Sequence, residues 1–198
     1  MTPKGTGTVN PSALSVNSAY AFPVADGAAD EVLTTDGAGG VTWKANAASN
    51  VLVQEVRQSS SALISANTSM PSDDTIPQKT EGSEMMTLAI TPTNASNILM
   101  IEFTTFGTVS VAGNWAVAGL FQDATTNAIA ASHLGHYNEN RWSGLIRHYM
   151  VAGTTSSTTF KIRVGQNGSG TADLNSYGAG RAYGGVATTV FTIKEIEA

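Results

Sequence analysis

"TTFKIRVG", residues 158–165, decides the fold class. Phe160, Ile162 and Val164 recur at every second position, with Lys161 and Arg163 between them. Successive side chains of an extended chain point to opposite faces, so this spacing makes one apolar face and one charged face. A helix would scatter the same five residues around its circumference. Gly165-Gln166-Asn167-Gly168 then ends the run with residues that favour turns.

The same signal recurs along most of the chain. "VLVQEVRQ" (51–58), "EMMTLAIT" (84–91), "NILMIEFTTF" (97–106), "NWAVAGLF" (114–121), "NAIAASH" (127–133), "LIRHYMVA" (145–152) and "VATTVFTIKEIE" (186–197) all read as strands. Each is short, β-branched or aromatic, and bounded by Gly, Pro, Asn, Asp or Ser. "LFQDATTNAIA" (120–130) reads as strand, Asp-led turn, strand. In "LIRHYMV", Leu145, Arg147 and Tyr149 alternate with Ile146, His148 and Met150, so neither face is purely polar. Strands with two useful faces fit a sandwich whose outer sheet meets another subunit. The best claim to a helix, "EVRQSSSALISANTSM" (55–70), is weakened by Ser59-Ser60-Ser61 and Thr68-Ser69. Eight or more strands at this spacing predict an all-β sandwich, with the jelly roll as the leading candidate.

Composition agrees. Of 198 residues 41% are hydrophobic, enough for a core, and only 13% are charged. That is about half the usual charged share. Small residues fill the gap, which suits β-structure and surfaces that pack against copies of themselves. Net charge is −5 with no Lys/Arg cluster, so no nucleic-acid partner is expected. There is no cysteine, so stability must come from packing or oligomerisation. Residues 1–20 hold no apolar run of the kind a cleavable leader needs, and no stretch is long enough to span a bilayer, so no membrane partner is expected.

The chain divides into an arm (1–46), a hinge (47–50) and a head (51–198). The arm's larger apolar residues, among them Phe22, Leu33, Val41 and Trp43, are too scattered to close a core of their own. Asp26-Gly27 and Asp36-Gly37 signal tight turns, and Ser15–Phe22 and Val41–Trp43 alternate as strands do. We expect short extended pieces that find their partners outside the segment.

"PKGTGTV" (3–9) followed by "YAFPVADGAADEVLTTDGAGGVTWKA" (20–45) resembles the N-terminal connecting block of tailed-phage fibre and virion appendage proteins. The family pattern is an aromatic-Pro-x-x-Asp-Gly, a Val-Leu-x-Thr-Asp-Gly, and then a Trp. Phe22–Gly27, Val32–Gly37 and Trp43 match it in order; Asp30-Glu31 departs from it, where Gly-Gln is commoner. The head, through "TIPQKTEGSEMMTLAITPTNASNILMIEF" (75–103), "AGLFQDATTNAIAA" (118–131) and "GGVATTVFTIKEIE" (184–197), is similar to a β-sandwich module at the ends of phage fibres. The resemblance implies a trimeric jelly roll on the virion exterior. In it Phe22, Leu33, Val41 and Trp43 become core shared among three chains, and the arm attaches to tail or capsid proteins. It implies a fibre or knob that recognises a host surface glycan or protein, or a capsid decoration that reinforces the shell. A free lectin-like sandwich is a further alternative.

No chemistry stands out. His133 and His136 are three residues apart in a strand-to-loop region, which suits opposite faces better than one metal. No Gly-x-Ser-x-Gly elbow exists, and "GQNGSG" (165–170) lacks the ending of a phosphate loop. We expect no enzyme, no metal and no cofactor. Two loops offer recognition chemistry instead. "HLGHYNENRWSG" (133–144) gathers Tyr137, Asn138, Arg141 and Trp142; "DLNSYGAGRAYGG" (173–185) holds Tyr177, Arg181 and Tyr183. Aromatic faces beside Asn and Arg suit sugars and protein surfaces. Trp142 is expected on its loop as a receptor contact, and Trp43 buried against the other chains near the junction of arm and head.

Overall fold

The computed structural model describes residues 15–16, 20–23, 25–46, 50–135, 140–178 and 180–198. They belong to two units, Met1–Ser49 and Asn50–Ala198.

In the first unit β1 (Ser15–Val16) pairs with β2 (Tyr20–Ala21), and β3 (Glu31–Thr35) with β4 (Val41–Ala45), both antiparallel. The expectation that these pieces find their pairing outside the segment is corrected: the ladders close within it. Asp36 explains the β3–β4 hairpin. Its Oδ1 accepts from the amides of Ala38 (2.8 Å) and Gly40 (2.9 Å), while Gly37 takes the positive φ of 77° that the turn requires. Those amides hold the Asp36 carboxyl below its usual pKa. Leu33 stands opposite Trp43 across the ladder. Trp43 donates from Nε1 to the Ala25 carbonyl (2.9 Å) and lies against Gly27, where an added Cβ would come within 2.6 Å of its ring. Phe22, Val41 and Trp43 are half-buried, and Leu33 remains 42% exposed.

The second unit is an all-β sandwich. Its principal strands are β5 (Leu52–Ser60), β7 (Ser83–Ile90), β8 (Ile98–Val109), β9 (Ala116–Gln122), β10 (Ala130–Leu134), β11 (Arg141–Val151), β12 (Thr158–Gln166) and β16 (Thr189–Ile196), with β6 (Ile64–Ala66), β13 (Ala172–Leu174), β14 (Ser176–Tyr177) and β15 (Gly180–Arg181) shorter. One sheet runs β5–β16–β8–β11 and the other β7–β12–β9–β10, with every pairing antiparallel. Counted along the head, the principal strands therefore lie in the orders 1-8-3-6 and 2-7-4-5, the connectivity of a jelly roll. β13 pairs with β8 beyond the point where β16 begins, and β6 pairs with β13, so the first sheet continues toward one end of the sandwich.

The period-two pattern fills the space between the sheets. Phe160, Ile162 and Val164 of β12 are fully buried, as are Leu99, Ile101 and Phe103 of β8 and Phe191 and Ile193 of β16. Phe103 and Phe191, register neighbours, meet edge to face at 6.4 Å. Each such side chain contributes about 1.5–3 kcal/mol on leaving water. β9 departs from alternation: it is buried from Ala116 to Phe121. The reason is a strap around Met70, which covers Val117 and Phe121 on the outer side of the sheet. Gly165 lets the strap approach, since an added Cβ there would sit 2.5 Å from the Thr68 carbonyl oxygen.

One buried charge fixes the base of the β7–β8 turn. Glu195, fully buried on β16, accepts from Gln54 Nε2 (2.6 Å), Asn97 Nδ2 (2.7 Å), the Thr93 amide (2.9 Å) and hydroxyl (2.9 Å), and the Asn94 amide (3.2 Å). Burial alone would raise its pKa; these donors outweigh burial and lower it to about 2.

Candidate recognition site

Asn175 anchors the start of the segment from Leu174 to Thr189. Asn175, fully buried at a φ of 57°, donates from Nδ2 to the carbonyls of Ser60 (2.9 Å) and Ala62 (2.8 Å). Its Oδ1 accepts from the Thr189 hydroxyl (2.9 Å), which lies 2.7 Å from the Thr105 hydroxyl. Asn tolerates the left-handed region better than other residues with a side chain, and here it also closes a buried network. The Ala182 amide donates to the Asn175 carbonyl (2.8 Å), which returns the loop onto the sheet.

Beyond this anchor the chain makes a short 3-10 turn, Ala182–Gly185, with Tyr183 at a φ of 50° and Gly185 at 90°. A left-handed conformation is strained for an aromatic residue and is held only where neighbours impose it. Arg181 braces this turn by donating to the Gly184 carbonyl (3.0 Å), and a Cβ at Gly185 would collide with the guanidinium at 2.8 Å. Arg181 is thus a brace for the turn that presents Tyr183.

Phe106, on the outer face of β8, lies 6.3 Å from the Tyr183 ring, and Tyr183 lies 6.4 Å from Tyr177. Arg141 stacks over Tyr177 with its guanidinium carbon 4.0 Å from the ring centroid. Tyr177 is 54% exposed and Tyr183 68%. Arg141 and Tyr177, one from each stretch singled out in the sequence, therefore meet at one place. A cavity of about 520 Å³ adjoins the stack on one side, lined by Thr108, Asn140, Arg141, Asp173 and Tyr177. A second cavity, of about 360 Å³, is lined by Phe106, Arg141, Tyr177 and Tyr183.

Sequence reading and structure part at several residues. β11 begins at Arg141 and not at Leu145, so Arg141 and Trp142 belong to a strand. Trp142, expected on a loop as a receptor contact, is corrected: it faces inward at 5% exposure, against Gly107 and within the core. Alternation places it there, because Arg141 is outward and the next side chain must point in. His136, Tyr137, Asn138 and Glu139 lie outside the described residues. Asp173, Thr108 and Phe106 escaped notice as site residues. β13 spans three residues, too short for a period to show, and Thr108 and Phe106 read only as sheet residues. Among the described residues no cluster of three or more His, Cys, Asp or Glu is arranged to hold a metal ion.

No family model matches this chain, and no curated protein does either. Among solved structures, dimeric latent PorU from Porphyromonas gingivalis matches 77% of this chain at a TM-score of 0.36 and 9% identity. The VP2 subviral particle of infectious bursal disease virus matches 80% at a TM-score of 0.29 and 16% identity. The structure of the Gx strain of that virus matches 80% at 0.31 and 12%. The chain spans only 14%, 40% and 39% of those three chains. At TM-scores this low the likeness carries no functional argument.

Proposed function

We propose that this chain is a non-enzymatic structural protein of a tailed-phage virion. It forms a trimeric knob on the particle exterior, attached through its arm to other virion proteins. Its head contacts a host surface glycan or protein. The observation that carries the recognition role is the meeting of the start of β11 with the Leu174–Thr189 segment in one exposed group of side chains, Arg141, Tyr177 and Tyr183. Exposed aromatic and cationic side chains on a rigid sheet are suited to binding. The arm's fibre-like motif supports the virion location.

The trimer has its own support. β11 is eleven residues long and, among the described residues, forms a ladder only with β8. Its outer face carries Leu145, Tyr149 and Val151, exposed at 42%, 55% and 54%. A long edge strand with apolar side chains invites pairing with another chain.

Two measurements test the reading. Light scattering on the full chain is expected to give a trimer, and Leu145→Lys with Val151→Lys is expected to dissociate it. A well-folded monomer of the unmutated protein at micromolar concentration overturns the trimer. Phage carrying Arg141→Ala, Tyr177→Ala and Tyr183→Ala together are expected to keep the protein on the particle but adsorb poorly to host cells. Normal adsorption with fragile particles would favour the capsid-decoration reading instead.

A further inference from the structure

We propose that the cavity between Asp173 and Arg141 binds a single uncharged sugar ring. This deepens the recognition reading of the same site and rests on it.

The placement follows from strand register. Thr108 of β8 stands opposite Arg141 of β11 on one side and opposite Asp173 of β13 on the other. Residues paired across antiparallel strands share a face, so the three side chains form one row on the outside of the sheet. Neighbouring strands are about 4.8 Å apart, which sets Arg141 and Asp173 about 10 Å apart at their backbones. All three line the 520 Å³ cavity, a volume within the usual range for small-ligand sites. Thr108 is already committed, since its hydroxyl donates to Ser176 Oγ at 2.9 Å.

Among the described residues the outer two side chains are not. Asp173 Oδ1 is shielded from water and accepts no hydrogen bond among the described residues. A buried carboxylate oxygen without a donor is costly. The carboxylate's other oxygen, Oδ2, is not shielded in this way and also accepts no hydrogen bond among the described residues, so it is the atom that a donor arriving from the cavity meets. Across the row, the Arg141 guanidinium rests on the Tyr177 face, and among the described residues no carboxylate lies within 4.0 Å of it. Among the described residues its N–H groups meet no acceptor, which leaves them as donors.

A ligand must therefore give a hydrogen bond at one wall and take one at the other. A hydroxyl does both, and a pyranose presents several of them around one ring. An anion would meet Asp173, and a cation would meet Arg141, each as a like charge. The mixed walls thus select a neutral polyol over either kind of ion.

The test is ligand-observed saturation-transfer NMR on the full chain. The probes are the methyl glycosides of glucose, galactose, mannose and N-acetylglucosamine, with glucuronate and glucosamine as charged counterparts. At least one neutral glycoside is expected to bind in the millimolar range, with both charged sugars at least tenfold weaker. Asp173→Ala and Arg141→Gln are each expected to weaken the neutral sugar at least tenfold, with thermal unfolding confirming that each variant folds. If Asp173→Ala does not fold, Asp173→Leu and Arg141→Gln decide the question. Binding of a charged sugar as tight as the neutral one overturns the proposal. So do unchanged affinity in the folded variants and the failure of all four glycosides. Adsorption separates this from the wider reading. If phage adsorb through Arg141 and Tyr177 yet no glycoside binds, the recognition role stands and the ligand class falls. If the glycoside binds but adsorption ignores the site, the sugar site stands and the recognition role falls.

Discussion

Asn97 donates from Nδ2 to Glu195 Oε1 at 2.7 Å, with both side chains buried. The bond ties the start of β8 to the end of β16, next to each other in the first sheet and 98 residues apart in sequence. Around it Thr93, Asn94 and Gln54 converge on the same carboxylate.

The sign of the resulting pH dependence is fixed by this geometry. The folded pKa of Glu195 lies near 2, below its ordinary value of 4.5. A depressed carboxylate stabilises the fold fully above the unfolded value and stops doing so as pH falls through the folded one. Thermal unfolding of the unmutated chain is expected to weaken between about pH 4.5 and 2. Glu195→Gln should be less stable at neutral pH, and the gap should close by pH 2. A gap independent of pH would mean that the carboxylate's charge is not what the donors hold.

The place of Trp142 in the head core sets what its loss is expected to do. Trp142→Ala opens a cavity beside Gly107 in the head core and is expected to cost about 3–5 kcal/mol of head stability. Trp43→Ala should leave the head's unfolding transition where it is and loosen only the β3–β4 hairpin. Differential scanning calorimetry on both variants checks this. Equal shifts of the main transition would contradict the burial of Trp142.

Asn175 carries two separable contributions, and two substitutions separate them. Asn175→Ala removes the bonds to Ser60, Ala62 and Thr189 and also forces alanine to a φ of 57°. Unpaired buried partners cost about 1–3 kcal/mol, and the left-handed backbone about 1–2 kcal/mol more. Asn175→Gly keeps the first cost and relieves the second. Urea denaturation is therefore expected to rank the unmutated chain above the glycine variant, and the glycine variant above the alanine. The reverse order of the two variants would show that the backbone at 175 is not under strain.

How far the sequence reached depended on the range of the physics involved. The eight principal strands of the head were legible because alternation is local: Phe160, Ile162 and Val164 must share a face once the chain is extended, whatever lies across from them. The Asp36-Gly37 turn was legible for the same reason, since its bonds close within four residues. What local pattern did not reveal is which strands lie side by side and where a loop ends. β11 starts four residues earlier than its composition suggests because β8 extends to Val109 and supplies partners for Arg141 and Trp142. That pairing buries Trp142 and leaves Arg141 outward. β9 loses its alternation because a strap anchored at Met70 lies over it. Arg141, Thr108 and Asp173 come from three separate parts of the chain and stand in one row only because β11 and β13 both pair with β8. The sequence by itself determined strands, turns and an all-β class, all set by neighbours in the chain. Only the tertiary structure decided the cavity, because its walls are set by strand register, and register depends on long-range packing.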